Sequence, residues 1–461
     1  MIKKILIPAF IFLLTFGLRL YKINNPVADW HSWRQADTAA VARNFVKDRF
    51  NLFYPQADSF VPNNDLGLTN PERLFMNEFP FYNALVALFY KIFGINPTLA
   101  RLVSVSFASL GAVFLYLLTT RLFGPAIGLT TGLYYAVTPY NVYYGRVIMP
   151  DPIFVSLSII SLYFFVNFKF FLFSLIFALA MLVKPYAIFI LLPCFYWAVV
   201  SHKTKQFLLT LFSLVPFLLW RWHFVLVPEG TFSSRWLYNE TNIRFSGAFF
   251  RWLIFDRLNR LIFATGGFVL FISGILNSYL NKIRGLIFVW LLSVMLYMTI
   301  FAMGNVTHDY YQLPLMPVGS ILVAFGFWAI VNSSKKLLPR LINLLFALAL
   351  VILSLAFGWY EVRGYFNINH SEIIAAGQAV DRLLPKDALV IAPYNRDVAF
   401  LYQTNRHGWP EGGQLAAKIS QGATHYVSVD LNNPETQTLE SSCSVLAKTS
   451  TYIIIDLKSC L

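Results

Sequence analysis

Charge is scarce in this sequence. Only 13% of its 461 residues are Asp, Glu, Lys or Arg, where soluble domains carry roughly a quarter. A polar coat for a globular soluble protein is therefore missing. The 57% hydrophobic content and the mean hydropathy of +0.59 point to an integral membrane protein. Cysteine is nearly absent too. Three residues cannot build a disulfide framework. Cys194 lies in an apolar run and reads as packing, whereas Cys443 and Cys460 flank two strand-like runs around "AKTST". A hairpin there brings the two thiols together, so one disulfide is open to them if that region is extracytoplasmic. Neither G-x-G-x-x-G nor a P-loop occurs, which removes the common nucleotide sites. Solenoid repeats and low-complexity tracts are also lacking.

Acids are the rarer charge, 22 against 36 bases, for a formal +14. That balance invites a nucleic-acid partner, but its distribution excludes one. Residues 361–461 hold 10 acids and 8 bases, so the whole positive excess lies in the apolar part. Basic residues at span ends are the expected positive-inside signature. Runs of near-span length fall at 5–23, 98–121, 126–144, 151–168, 170–183, 186–200, 207–227, 260–279, 285–303, 312–332 and 338–358, predicting about eleven spans. The first begins "MIKK" and contains Arg19, without a convincing cleavage site, and reads as a retained anchor.

With a cytoplasmic N-terminus, Lys3, Lys4, Arg121, Lys169, Lys203, Lys205, Lys282, Arg284, Lys335, Lys336 and Arg340 fall on the cytoplasmic side with no acid among them. All twelve acids of residues 1–360 then lie on the opposite face or at its boundary. The positive-inside rule accounts for the short basic loops but not for so one-sided a set of acids. The chemistry is expected on the outer, extracytoplasmic face.

The expected fold is a mostly α, polytopic membrane protein with a small α/β domain at its C-terminus. Residues 1–360 form the membrane domain, with 24–97 a large first outer loop holding amphipathic stretches at 32–49 and 80–93. The second of these is too short to span and reads as interfacial. A further outer piece, 228–258, carries Arg235, Arg244, Arg251 and Arg257. In 361–461, "SEIIAAGQAVDRLL" has helical period with Ser371 as a cap, and "ALVIAPY", "THYVSVD" and "TYIIIDL" read as strands. An odd number of spans places this domain outside.

Several stretches carry chemistry. In "NNPVADWHSWRQADTAAVARNF", a helix from 29 to 45 puts Asp29, Trp33 and Asp37 on one face, drifting about 40° per step. Arg34 is spaced to pair with Asp37. The plain structural alternative makes Asp29 an N-cap, Asp37 a partner of Arg34 and the tryptophans interfacial anchors. "YYGRVIMPDPIF" sets Arg146 and Asp151 at a helix start, where Asp151 is either a cap or an anchor or metal ligand. "MLVKPYAIF" sets Lys184 between apolar runs, where a lysine needs a partner or must snorkel. An anionic substrate supplies that missing charge. "NVTHDYYQLPLMP" offers His308, Asp309 and Tyr310, and "MNEFPFY" offers Glu78 as base, metal ligand or cap. Acids suit deprotonation of a hydroxyl or a divalent metal, bases suit a phosphate, and the membrane wall suits a lipid chain.

In their order along the chain, "DWHSWRQADTAAVARNF", "EFPFYNALVALFYKIFG", "GRVIMPD", "LVKP" and "YYQLPLMP" resemble the GT-C superfamily of membrane glycosyltransferases. The nearer likeness is to the branch of protein O-mannosyltransferases and the aminoarabinose transferase of lipid A, over most of residues 1–360. The resemblance implies transfer of a sugar from polyprenyl phosphate to an outer acceptor hydroxyl, usually with inversion. It places the base on Asp37 or Asp29, with Asp151 as second acid, Lys184 and Arg146 on the donor phosphate, and His31, Trp33, Arg34, Glu78, His308 and Tyr310 around the acceptor or donor pocket. Asp37, Glu78, Asp151 and His308 are the candidates for a divalent metal. Family members often carry adjacent acids where Arg34 and Gln35 stand here, so Asp29 and Asp37 both remain as the base. The implied partners are the lipid-linked donor, membrane lipids and a glycan, lipid or protein acceptor, with no nucleic acid. The rivals are a lipid or glycan transporter, which would need mid-membrane charge and paired halves, and a non-catalytic envelope assembly protein.

Overall fold

A computed structural model describes residues 2–62, 64–277 and 281–460. Each of the eleven apolar runs is helical, but not all are full spans. Pro97–Phe123, Thr204–Leu226, Lys282–Ile300 and the helix from Leu337 are long and apolar enough to cross a bilayer. Ile5–Arg19, Asp151–Val166, Phe170–Val183, Pro185–Val200 and Leu315–Val331 are shorter, as is Pro125–Val137.

Proline sets several of these ends, because the residue before it is forced out of the helical region. Thr138 before Pro139 and Lys184 before Pro185 both have extended-type ψ near 120–130°. The run expected as one span over 260–279 is instead broken. Helical turns over Leu253–Ile262 stop at a reversal through Ala264 and Thr265, both at positive φ, before Gly266–Leu276 begins. The two arms of this bent pair differ by 117°.

The chain divides into two compact units, each assembled from three stretches of sequence. The first comprises 1–23, 101–221 and 234–365. Its helices Gly266–Leu276 and Leu315–Val331 meet closely. A Cβ on Gly274 would stand 1.9 Å from the Leu322 carbonyl oxygen, and one on Gly326 would stand 1.9 Å from that of Leu270. Small residues let apolar helices pack backbone to backbone. Arg19 is fully buried here and donates to the carbonyls of Thr15, Ala136 and Asn141, which is how a guanidinium survives in an apolar interior. Helix Leu337–Val362 leaves Leu345 and Ile352 about two-thirds exposed, a face suited to lipid.

The second unit comprises 24–100, 222–233 and 366–461. Its five-stranded sheet runs in the order β2-β1-β3-β5-β4. The strands are β1 Leu389–Ile391, β2 His407–Trp409, β3 His425–Ser428, β4 Ser444–Lys448 and β5 Ile453–Asp456. β1 lies parallel to β2 and β3, while β5 is antiparallel to β3 and β4. β2, "HGW", is too short to read from pattern. The first outer loop extends this edge: Gly408 donates to the Asp58 carbonyl and accepts from Phe60. Val61 joins Ile391, Trp409, Tyr426, Ile453 and Ile455 in the core. Helix Ser371–Leu383 forms as expected, but its N-cap is His370, and Ser371 opens the first turn. Cys443 and Cys460 are disulfide-bonded, and Cys194 is buried and free.

Candidate active site

In the second unit, the opening stretch folds as a turn followed by helix Ser32–Lys47. The helix does not begin at Asp29. His31 is the N-cap in a left-handed conformation (φ 57°), without a side-chain cap. Asp29 thus stands before the helix, not one turn along its face, and the N-cap position is His31. Its Oδ1 accepts from Gln35 Nε2 at 2.7 Å, and the same amide donates to the Trp30 carbonyl. His31 and Trp33 are half-buried.

The helix is buried all round from Arg34 to Phe45, although six of those twelve side chains are polar or charged. Such a helix survives only if its polar groups find partners. Arg34 forks onto Glu78 with Nη2 at 2.7 and 2.8 Å from the two carboxylate oxygens. This replaces the expected Arg34–Asp37 pair. Asn44 donates to the carbonyls of Gln56 and Ala57, and Arg43 pairs with Asp58. Asp37 is the exception: it is 8% exposed, and among the described residues no donor reaches its carboxylate. Burial pushes its pKa up to about 7. Arg34 opposes that rise, while Asp397, Asp58 and Glu78 add to it.

In the first unit, the extended backbone at Lys184, imposed by Pro185, breaks the helical ladder and turns the side chain inward. Its Nζ lies 2.9 Å from Asp151 Oδ1, with both side chains about 4% exposed. Asp151 is the lysine's counter-ion, in the first turn of helix Asp151–Val166, where the dipole favours negative charge. Asp151 Oδ2 is buried with no hydrogen bond among the described residues. The rings of Tyr186, Tyr310 and Tyr311 stand 5.4–5.7 Å from the ammonium, within cation–π range.

His308 stacks on Tyr310 at 5.3 Å and meets the edge of Trp236 at 5.5 Å. Arg146 is fully buried, donates to the Lys22 carbonyl at 3.0 Å and lies over the Tyr143 ring. Asp309, which the "NVTHDYYQLPLMP" stretch offered beside His308, is given no role by the family resemblance. It is a hub, accepting from the hydroxyls of Tyr144 and Tyr365 and facing Arg257 at 3.9 Å, while its carbonyl accepts from Tyr140. The tyrosines come from two distant segments, helix Pro139–Tyr144 and Tyr365, so spacing around Asp309 does not reveal them.

Each unit thus gathers part of the expected set: Arg34 with Glu78 in one, Asp151 with Lys184 and Tyr310 in the other. The four metal candidates do not form a donor set. Glu78 is held by Arg34, Asp151 by Lys184 and His308 by aromatic rings, and no three acidic, His or Cys side chains gather among the described residues.

Comparison with solved structures decides the fold. ArnT from Cupriavidus metallidurans bound to undecaprenyl phosphate aligns with a TM-score of 0.65 and 14% identity, over 98% of this chain and 97% of that one. The oligosaccharyltransferase of Archaeoglobus fulgidus, in complex with Zn and sulfate, aligns at 0.56 and 11% identity, over 92% and 68%. The chain has the GT-C fold. Residues 77–222 of this GT-C chain match the family model described as dolichyl-phosphate-mannose-protein mannosyltransferase. No curated protein matches it by sequence. The matched segment opens next to Glu78 and contains Arg146, Asp151 and Lys184.

Proposed function

We propose that this GT-C protein is a membrane glycosyltransferase that moves a sugar from a polyprenyl-phosphate donor to an acceptor hydroxyl on the extracytoplasmic face, with inversion. The observation that carries this reading is Asp37: a buried carboxylate, bare of donors, on a helix whose neighbouring polar side chains are engaged. Leaving a carboxylate unsatisfied is costly. An acceptor hydroxyl is the donor it lacks, and a pKa of about 7 suits a general base at neutral pH. The likeness to an ArnT bound to undecaprenyl phosphate supports the donor class.

In a single displacement, Asp37 accepts the hydroxyl proton as the acceptor oxygen forms its bond to the anomeric carbon. The bond from that carbon to the phosphate oxygen breaks, and the lipid phosphate leaves from the opposite side, inverting the centre. Asp29, tied to Gln35, has the weaker claim as base and positions the turn before the helix. Lys184 and Arg146 supply positive charge for the departing phosphate. Asp151 orients Lys184 in the resting protein, and His308 and Tyr310 border the donor. Arg34 and Glu78 fix the wall beside Asp37.

Purified protein in nanodiscs, given a labelled polyprenyl-phosphate sugar and candidate acceptors, tests this. Asp37→Asn is expected to lower transfer by about 10²–10⁴-fold, the usual contribution of a general base, with Asp29→Asn less severe. Undiminished transfer by Asp37→Asn would remove Asp37 from the mechanism. Movement of labelled lipid without bond change would replace the transferase by a transporter.

A further inference from the structure

The second unit holds a polar cleft of about 440 Å³ to which sugar transfer assigns no part. It opens where the end of helix Ser32–Lys47 adjoins residues 386–407 and is lined by Arg43, Lys47, Asp58, Lys386, Arg406 and His407, among others. None of Asp29, Arg34, Asp37 and Glu78 lines it.

Its charges do not balance. Asp58 pairs with Arg43 and faces His407 Nδ1 at 3.5 Å. Asp48 faces His407 Nε2 and Arg73, each at 3.1 Å. Asp381 serves both Arg406, at 2.7 Å, and Lys386, at 2.8 Å. The Lys47 ammonium donates only to the Asn405 side-chain carbonyl, and among the described residues no carboxylate lies in ion-pair range of it. The lining thus sets two carboxylates, Asp48 and Asp58, against four permanent cations, Arg43, Lys47, Lys386 and Arg406, and the flanking Asp381 and Arg73 cancel, before any proton on His407 is counted. The arginines at its base are already fixed. Arg406 is fully buried and donates to the carbonyls of Leu384 and Pro385 at 2.7 Å, and Arg43 lies 4.2 Å from the Tyr402 ring centre. Lys47 and Lys386, at the mouth, are exposed and free to adjust.

We propose that this cleft binds a phosphate monoester, carried by a sugar or by a lipid headgroup. The surplus of two charges matches such a group, which carries about −1.5 to −2 at neutral pH, whereas a sugar carboxylate would neutralise only half of it. Fixed guanidiniums with two mobile ammonium groups suit a tetrahedral, multiply accepting anion. The volume leaves room for the group that bears it. The cleft stands independently of the transfer reading, since none of Asp29, Arg34, Asp37 and Glu78 lines it.

Full-length protein in phosphatidylcholine nanodiscs, titrated calorimetrically with glucose 1-phosphate and with glucose, tests the site. Saturable binding of the phosphate, absent for glucose, is expected. The double variant Lys47→Gln with Lys386→Gln should weaken it about tenfold or more, the equivalent of losing one charge-assisted hydrogen bond, with an unchanged melting temperature. Lys47→Arg, which keeps the charge, should retain binding. Absence of saturable binding, or binding unaltered in the double variant, overturns the proposal. Doping the discs with phosphatidic acid separates the sources: competition with glucose 1-phosphate supports the site with a lipid headgroup as occupant, and no competition supports it with a soluble phosphosugar.

Discussion

Asp37 is the residue at which stability and activity pull apart. Its pKa of about 7 lies above the ordinary carboxylate value chiefly because burial penalises the charged form. Between about pH 4 and 7 the folded state holds a proton that the unfolded chain has released, so this group lowers stability as pH rises through that window and costs a constant amount above it. Asp37→Asn should therefore raise the unfolding free energy at pH 8 by an amount on the order of a few kcal/mol, seen as a higher melting temperature, with the gain shrinking toward pH 4. In the wild type, kcat/KM should climb with pH through about 7 and level off above, because only the ionised carboxylate accepts a proton. A flat profile from pH 5 to 9 contradicts the base assignment. Lys184 and Asp151 behave differently, each being the other's counter-ion. Asp151→Asn strands a buried ammonium and is expected to cost about 3–5 kcal/mol of stability. Asp151→Leu with Lys184→Met removes both charges and should recover most of that stability in thermal unfolding while transfer stays lost. If the double variant transfers sugar normally, the pair is purely structural.

At the level of elements, close packing of the membrane unit rests on glycine as much as on bulk. Gly326→Val places a branched side chain against the Leu270 carbonyl, where even a Cβ has only 1.9 Å. It should destabilise the protein by about 1–3 kcal/mol or more, measured as a lower unfolding temperature in detergent. Helix positions were legible from apolar run length, and the short outer helices at 32–47 and 81–93 from amphipathic period. Where helices break was partly legible: the runs part at Lys184 before Pro185, but 126–144 reads as one run although the chain breaks at Thr138 before Pro139, and the reversal at Ala264 and Thr265 has no proline and depends on packing. In the site, Lys184's need for a counter-ion followed from its depth, yet its partner, 33 residues earlier, did not. Arg34 illustrates the limit. Local spacing offered Asp37, but a carboxylate 44 residues away took the guanidinium, because tertiary contact outweighs an i,i+3 pairing worth only a few tenths of a kcal/mol. That exchange is also what leaves Asp37 bare.

At the scale of the whole molecule, the two units are interleaved in sequence, with the first outer loop and the C-terminal tail folded into the same one. Gly408 of β2 bonds directly to Asp58 and Phe60 of the loop, so residues nearly 350 positions apart share one sheet edge and must lie on one side of a membrane. On the positive-inside reading, the short basic connections are expected on the other side from that loop. Cysteine chemistry can read this arrangement, because Cys194 is buried and the other two cysteines are bonded to each other. Single cysteines at the exposed positions Asp65 and Arg382 should react with a membrane-impermeant maleimide in intact cells, and one at the exposed Lys335 should react only after permeabilisation. Labelling of Asp65→Cys and Arg382→Cys from opposite sides would contradict the shared sheet. Labelling of all three from outside would leave the sheet intact and overturn the orientation drawn from charge, and with it the extracytoplasmic placement of Asp37.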